Sequence, residues 1–152
     1  MKDITIELDD WGHRELEECL LTVPGINSVK TNDATNIKID INYDSQKINS
    51  KMIRMELDLF FDRAKEPSLI SFDKHEPANN SYKIKIKYLC CEYCLKGMIE
   101  DLYDTNGIIS CKSNFDFVKP EKQRFKNVLL NITYNDIIDI DKIKELEKGF
   151  NL

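Results

Sequence analysis

Cys90, Cys91 and Cys94, in the run Tyr88-Leu-Cys-Cys-Glu-Tyr-Cys94, are the residues best placed to do chemistry. Two thiols three positions apart, where a loop becomes a helix, turn their sulfurs towards a common point. The free N–H groups of a first helical turn favour the thiolate and lower a thiol pKa. Such a pair binds a soft metal or carries out thiol–disulfide exchange. Soft sulfur suits Cu(I), and also Zn(II), Cd(II) or Hg(II). Zinc normally takes four ligands, so a thiolate pair leaves it under-coordinated. Cu(I) accepts fewer, which suits hand-over to a second Cys-bearing protein rather than storage.

The elements that must hold these thiols are legible on both sides. Upstream, Tyr82-Lys-Ile-Lys-Ile-Lys-Tyr88 alternates, with Tyr82, Ile84, Ile86 and Tyr88 on one face and Lys83, Lys85 and Lys87 on the other. The lysine stripe reads as the solvated face or guarded edge of a strand, and it could also attract an acidic partner. Downstream, Leu95, Met98, Ile99 and Leu102 recur at helical spacing, which predicts a helix over about 93–105.

The same unit occurs earlier in diverged form. At one constant offset Gly107 falls on Gly25, Leu102 on Leu20, Met98 on Leu16 and Cys111 on Val29. Ile86 and Tyr88 fall on Ile4 and Ile6, while Cys91 lands on Asp9 and Cys94 on Gly12. The first copy therefore lacks both thiols. A chain of 152 residues reads as two small domains, 1–75 and 82–152, joined by a polar Pro-containing linker over 76–81.

Each copy reads as strand, helix, strand, strand, helix, strand. In the first, Ile4–Leu8, Ile26–Thr31 and the alternating Ile37, Ile39, Ile41 and Tyr43 are strands. Leu16, Cys19, Leu20 and Val23 mark one helix, stopped by Pro24-Gly25. Met52, Ile53, Leu57, Phe60 and Phe61 mark a second, capped by Ser50 or Asn49, with Leu69–Phe72 closing after Pro67. In the second copy, strands over 82–89, Ile108–Phe117 and 126–134 precede a helix over about 140–148, ended by Gly149 and leaving a stub of a final strand. An insertion around Asp116–Arg124 lengthens the second hairpin, whose tip is expected beside the cysteines.

Composition bounds the rest. Hydrophobic residues make up 41% and charged residues 32%, which fits a globular protein, and a net charge of −5 gives no support for nucleic-acid binding, which needs a concentrated basic face. No apolar run follows Met1, and no segment approaches a membrane span. Five cysteines, two of them adjacent, make a poor disulfide framework, so reduced thiols and a cytoplasmic or cytosol-facing setting are expected.

The second unit resembles a heavy-metal-associated domain, the ferredoxin-like module of copper chaperones and of the N-terminal arms of heavy-metal P-type ATPases. Cys91 and Cys94 match that family's ligands, Met98 and Leu102 its apolar helix positions, Gly107-Ile108 its Gly-Val turn, and Gly149-Phe150 its terminal pair. Tyr88 and Leu89 stand where the family has Gly and Met. The resemblance implies an α+β fold of two ferredoxin-like βαββαβ units in tandem, with antiparallel sheets and helices on one face. It implies Cys91 and Cys94 as metal ligands, Cys90 as an optional third, Leu89 as an apolar anchor under the loop and Phe150 packed beside it. Cu(I) is the implied cargo, with Zn(II) or Cd(II) as alternatives, and the partner a Cys-bearing metal-transfer protein or transporter domain. A metal-bridged dimer is compatible with this. Strand alternation instead turns Cys90 towards the Tyr88 face, away from the metal.

Other residues read more plainly. Cys19 and Cys111 are expected as small core residues. Asp9, Asp10 and His13 could bind a hard metal, but a capping surface loop is the simpler reading, and Trp11 there packs or forms a contact patch. Glu92 is expected in solvent, and His75 has no partner visible in sequence. No catalytic constellation appears outside the thiols, so the chain is not expected to be an enzyme. The competing enzyme reading is a thiol–disulfide oxidoreductase, which the strand order and the lack of a proline beside the thiols oppose. A third reading is an interaction module with incidental thiols.

Overall fold

Ile37, Ile39, Ile41 and Tyr43 are buried at every second position while Lys38 and Asp40 face solvent, so the alternation forms strand β3 (Ile37–Tyr43). The same physics sets the other elements in this computed structural model, which describes residues 1–8, 14–32, 36–61, 69–117 and 126–152. In chain order they are β1 (Lys2–Leu8), α1 (Arg14–Leu21), β2 (Ile26–Asn32), β3, α2 (Ser50–Phe61) and β4 (Leu69–Asp73). There follow β5 (Asn80–Tyr88), α3 (Glu92–Tyr103), β6 (Ile108–Ser113), β7 (Lys126–Tyr134) and α4 (Ile140–Phe150). Asn49 caps α2 by accepting the Met52 N–H at 2.8 Å, and Asp139 caps α4 by accepting from Lys142.

The described strands form one antiparallel sheet in the order β2-β3-β1-β4-β6-β7-β5. Two separate sheets were expected. They merge because β4, which closes the first half against β1, offers its other edge to β6, with Phe72 opposite Cys111. An open strand edge presents unpaired N–H and C=O groups, and this pairing satisfies them. One core cluster collects the buried strand residues other than Ile70 and Ile109, together with Leu16 and Leu20 of α1, Ile53 and Leu57 of α2, Leu95, Ile99 and Leu102 of α3, and Ile143 of α4. The helices thus share one face of the sheet. No helix among the described residues is long and apolar enough to cross a membrane.

Local features recur between the halves. Strand order β6-β7-β5 repeats β2-β3-β1. Gly25 and Gly107 both take left-handed backbone (φ 98° and 94°), and an added Cβ at either would strike Ile48 or Ile138 at under 3 Å. After each glycine the strand carries a bulge, between Ile26 and Ser28 and between Ile108 and Ser110.

Side chains also lock the halves together. Arg54 of α2 grips Asp104, the C-cap of α3, with two nitrogens of its guanidinium at 2.8 and 2.7 Å, and its third nitrogen reaches Asp58 at 2.6 Å and Glu100 at 3.0 Å. The Tyr103 hydroxyl donates to the Ser50 carbonyl at 2.6 Å, and its ring stands edge-on to Phe72. Lys74, buried, donates to the Tyr103 carbonyl at 2.7 Å and lies over both rings. Burial pushes its pKa down to about 8.

Several expectations are corrected. Cys19 is exposed, because the buried stripe of α1 runs through Leu16 and Leu20 and leaves position 19 to one side. Met52 is exposed at the start of α2, whose buried face is Ile53 and Leu57. Tyr88 is 77% exposed, since β5 ends there and the core face ends with Ile86. Helix α4 runs through Gly149 to Phe150 rather than stopping, so those residues form no strand. Strand β6 ends at Ser113, short of Phe117. Asp9, Asp10, Trp11, Gly12, His13 and Pro67, with residues 118–125 of the inserted hairpin, lie outside the described residues.

Candidate metal centre

Strand β5 delivers the chain to the site. Its core-facing Ile84 and Ile86 are fully buried, and Leu89, 8% exposed, joins the same core cluster. The chain bends at Cys90, and Cys91 occupies the N-cap of α3 in extended conformation (φ −166°, ψ 171°). Leu95, Ile99 and Leu102 then bury one side of α3, each worth about 1.5–3 kcal/mol. The helix start, and Cys94 with it, is thereby fixed against the sheet.

The bend decides the position of Cys90. Continued alternation would carry its side chain away from Cys91, but the strand has ended. The Cys90 Sγ lies 3.9 Å from the Cys91 Sγ, which lies 3.8 Å from the Cys94 Sγ. All three sulfurs fall within 4.8 Å of one another, and none is in a disulfide. Cys90 is exposed and the other two are half-buried, so the group opens to solvent. No His, Asp or Glu joins it among the described residues.

The thiols are not equivalent. As a thiol, Cys91 makes no side-chain cap hydrogen bond. Its pKa is lowered from the ordinary value, most by the nearby backbone N–H of Cys94 and further by the neighbouring thiols and the Tyr93 N–H, with burial opposing them. Cys94 moves the other way, pushed up to about 12 by its hydrogen bond with Cys90, by burial and by the facing Cys91. Cys111, expected in the core, is there, and burial also pushes its thiol up to about 12.

The rim adds groups that spacing did not single out. Lys96 is 2% exposed, with its ammonium 3.9 Å from Glu92, over the Tyr93 ring at 4.8 Å and near the Phe117 ring at 6.0 Å. The Glu92–Lys96 spacing is the helical ion-pair interval, a signal that was present in the sequence. Phe117 stands edge-on to Phe115, and the Lys96 ammonium 6.0 Å from its ring links this segment to α3. Phe150 is half-buried against the core at the end of α4. Its neighbour Asn151 reaches back to β5, accepting from the Lys87 N–H at 2.8 Å and donating to the Lys85 carbonyl at 2.9 Å. Glu147 accepts from the Lys85 N–H at 2.8 Å, so α4 guards the outer edge of β5 just before the thiols.

His75, without a visible partner in sequence, sits on a cleft of about 520 Å³ lined with Thr5, Asp40 and Asn42. Its Nε2 is 2.7 Å from the Thr5 hydroxyl, and its Nδ1 is 3.5 Å from Asp73. That hydroxyl donates its proton to Asp40 at 2.5 Å, so Nε2 must donate to Thr5. With that polarity His75 cannot act as a base towards Thr5.

No protein-family model matches the chain, and no curated protein matches it. Among solved structures it is similar to the solution structure of the N-terminal soluble domains of Bacillus subtilis CopA, at 14% identity and a TM-score of 0.38. The match covers 97% of this chain and 88% of that one. That likeness is too distant to assign the chain to a family.

Proposed function

We propose that the protein binds a soft metal ion, with Cu(I) as its cargo, through Cys91 and Cys94 with Cys90 as third ligand, and delivers it to another Cys-bearing protein. The observation that carries this reading is the convergence of three free sulfurs within 4.8 Å at a helix N-terminus, open to solvent. Thiolate selects soft ions, and a three-sulfur set without a fourth ligand suits Cu(I) better than the tetrahedral preference of Zn(II) or Cd(II). Solvent access at Cys90 lets an incoming thiolate displace one ligand at a time, which is the chemistry of transfer. In this role the chain turns over no substrate. Its setting is the cytoplasm or the cytosolic side of a transporter, with a metal-transfer protein or transporter domain as partner.

The first half belongs to this proposal as a diverged tandem copy of the second, each a ferredoxin-like unit. The recurring strand order, left-handed glycines and bulges support that reading. Having no thiols at the matching positions, the first copy braces the second through β4–β6 pairing and the Arg54 clamp. Anaerobic Cu(I) titration of the reduced protein against a chromophoric chelator tests the binding claim. One tight equivalent is expected, lost in Cys91→Ser/Cys94→Ser with the fold retained.

One observation favours a second reading. A low-pKa Cys91 beside a high-pKa Cys94 is also an attacking and resolving thiol pair. Insulin reduction no faster than with free dithiol removes it.

A further inference from the structure

We infer that Cys90, Cys91 and Cys94 also form a three-thiolate seat for a trivalent thiophilic metalloid, arsenic(III) taken up as arsenite. This rests on reading the three cysteines as a metal site, and it adds a cargo class that the copper reading does not require.

Geometry, ligand type and charge point the same way. Arsenic(III) binds three ligands on one side and keeps a lone pair on the other, so it needs a triangle of donors with an open apex. The sulfurs of Cys90, Cys91 and Cys94 make that triangle, with edges of 3.9 and 3.8 Å along the chain and all separations within 4.8 Å. The exposure of Cys90 leaves one edge of the triangle open to solvent as an entry path. A zinc or cadmium ion would look for a fourth donor, and no His, Asp or Glu completes the set among the described residues. Charge separates the remaining candidates. Three thiolates around a monovalent ion keep two negative charges and around a divalent ion one, whereas a trivalent centre leaves the group neutral. In a half-buried site on a chain of net charge −5, the neutral complex carries the smallest desolvation and repulsion cost.

The uptake step balances without a redox partner. Each thiol breaks its S–H bond and forms an S–As bond. Each arsenic hydroxyl leaves with that thiol's proton as water. Arsenite and three thiols thus give the tris-thiolate and three waters, with arsenic(III) and every sulfur unchanged in oxidation state. A site with two thiols would stop one step earlier and keep one hydroxyl on arsenic.

That difference supplies the test. The reduced full chain is titrated anaerobically with sodium arsenite and, separately, with Cu(I), and the arsenite complexes are weighed by native mass spectrometry. The expected wild-type species carries one arsenic and no retained hydroxyl. Cys90→Ser is expected to keep the far-UV circular dichroism of the wild type, to bind arsenite at least tenfold more weakly and to retain a hydroxyl on the bound arsenic. Cys19→Ser, which alters an exposed thiol outside the group, should leave arsenite binding unchanged. A retained hydroxyl in the wild type, or equal arsenite affinity with and without Cys90, overturns the inference. If Cu(I) binds and arsenite does not, the inference falls and the copper reading stands. If neither binds, both fall.

Discussion

At the scale of single residues, the site depends on two sulfurs with opposed proton affinities 3.8 Å apart. Cys91, favoured as thiolate by the backbone N–H of Cys94, is expected to engage an electrophile or metal before Cys94 does. Cys94, pushed up to about 12, keeps its proton until a metal displaces it. Limiting iodoacetamide at pH 7.5, followed by peptide mapping, should therefore label Cys91 before Cys94. Cys111 should be labelled only on unfolding, and Cys94 reacting first would contradict the assignment. Metal binding should release protons and strengthen as pH rises, because the ligands must be deprotonated. Spacing alone made Cys91 and Cys94 legible in the sequence. The place of Cys90 was not, since it depends on a bend that breaks strand alternation, and periodicity says nothing beyond the last regular residue. Cys19 and Tyr88 were misplaced for a related reason. A residue at the margin of an apolar stripe is buried only if a neighbouring element covers it.

Elements carry the site by anchoring its two ends. Strand β5 and helix α3 are held by residues whose periodicity was plain, and their bounds fall within a few residues of those expected. Glycines separate local propensity from packing. Gly97, inside α3, has open space where a Cβ would stand, so Gly97→Ala should stabilise the protein by about 0.5–1 kcal/mol through helix propensity. Gly107 has φ 94°, and an added Cβ would meet the Ile138 side chain at 2.7 Å and its backbone nitrogen at 2.9 Å. Gly107→Ala should cost about 2 kcal/mol or more. Urea denaturation of both variants checks the pair of signs, and stabilisation by Gly107→Ala would show that the turn is wrongly placed. The pairing of β4 with β6 could not be read from sequence, because local alternation specifies a strand and a face but not which free edge it meets.

The whole molecule behaves as one cooperative unit in this account. Seven described strands share a sheet, and Arg54 of α2 reaches across to two carboxylates, Glu100 of α3 and Asp104 just beyond it, while pairing with Asp58 on its own helix. Thermal or urea unfolding should show a single transition by all probes, and two well-separated transitions would refute the shared sheet. Arg54→Ala leaves Asp58, Glu100 and Asp104 facing one another and should destabilise by about 2–4 kcal/mol, less than for a fully buried pair because the network is partly wet. Burial, then the Asp58 charge, raises the Glu100 pKa to about 7 despite Arg54. The folded state therefore holds a proton on Glu100 between the unfolded carboxyl pKa and about pH 7, where the unfolded chain does not. Stability gains from this group as pH falls from 8 towards 5, by on the order of 1–3 kcal/mol, and is lost as pH rises through 7. Glu100→Gln, which keeps an acceptor for Arg54, should flatten that slope and raise the melting temperature at pH 8. An unaltered slope would mean another group titrates there.

The measurement that bears most directly on the central claim is Cu(I) competition titration of the reduced wild type and of Cys91→Ser/Cys94→Ser. One tight Cu(I) equivalent is expected in the wild type and its loss in the double variant, with the circular dichroism of the two proteins alike. Cu(I) bound equally well by both, or by neither, would contradict it.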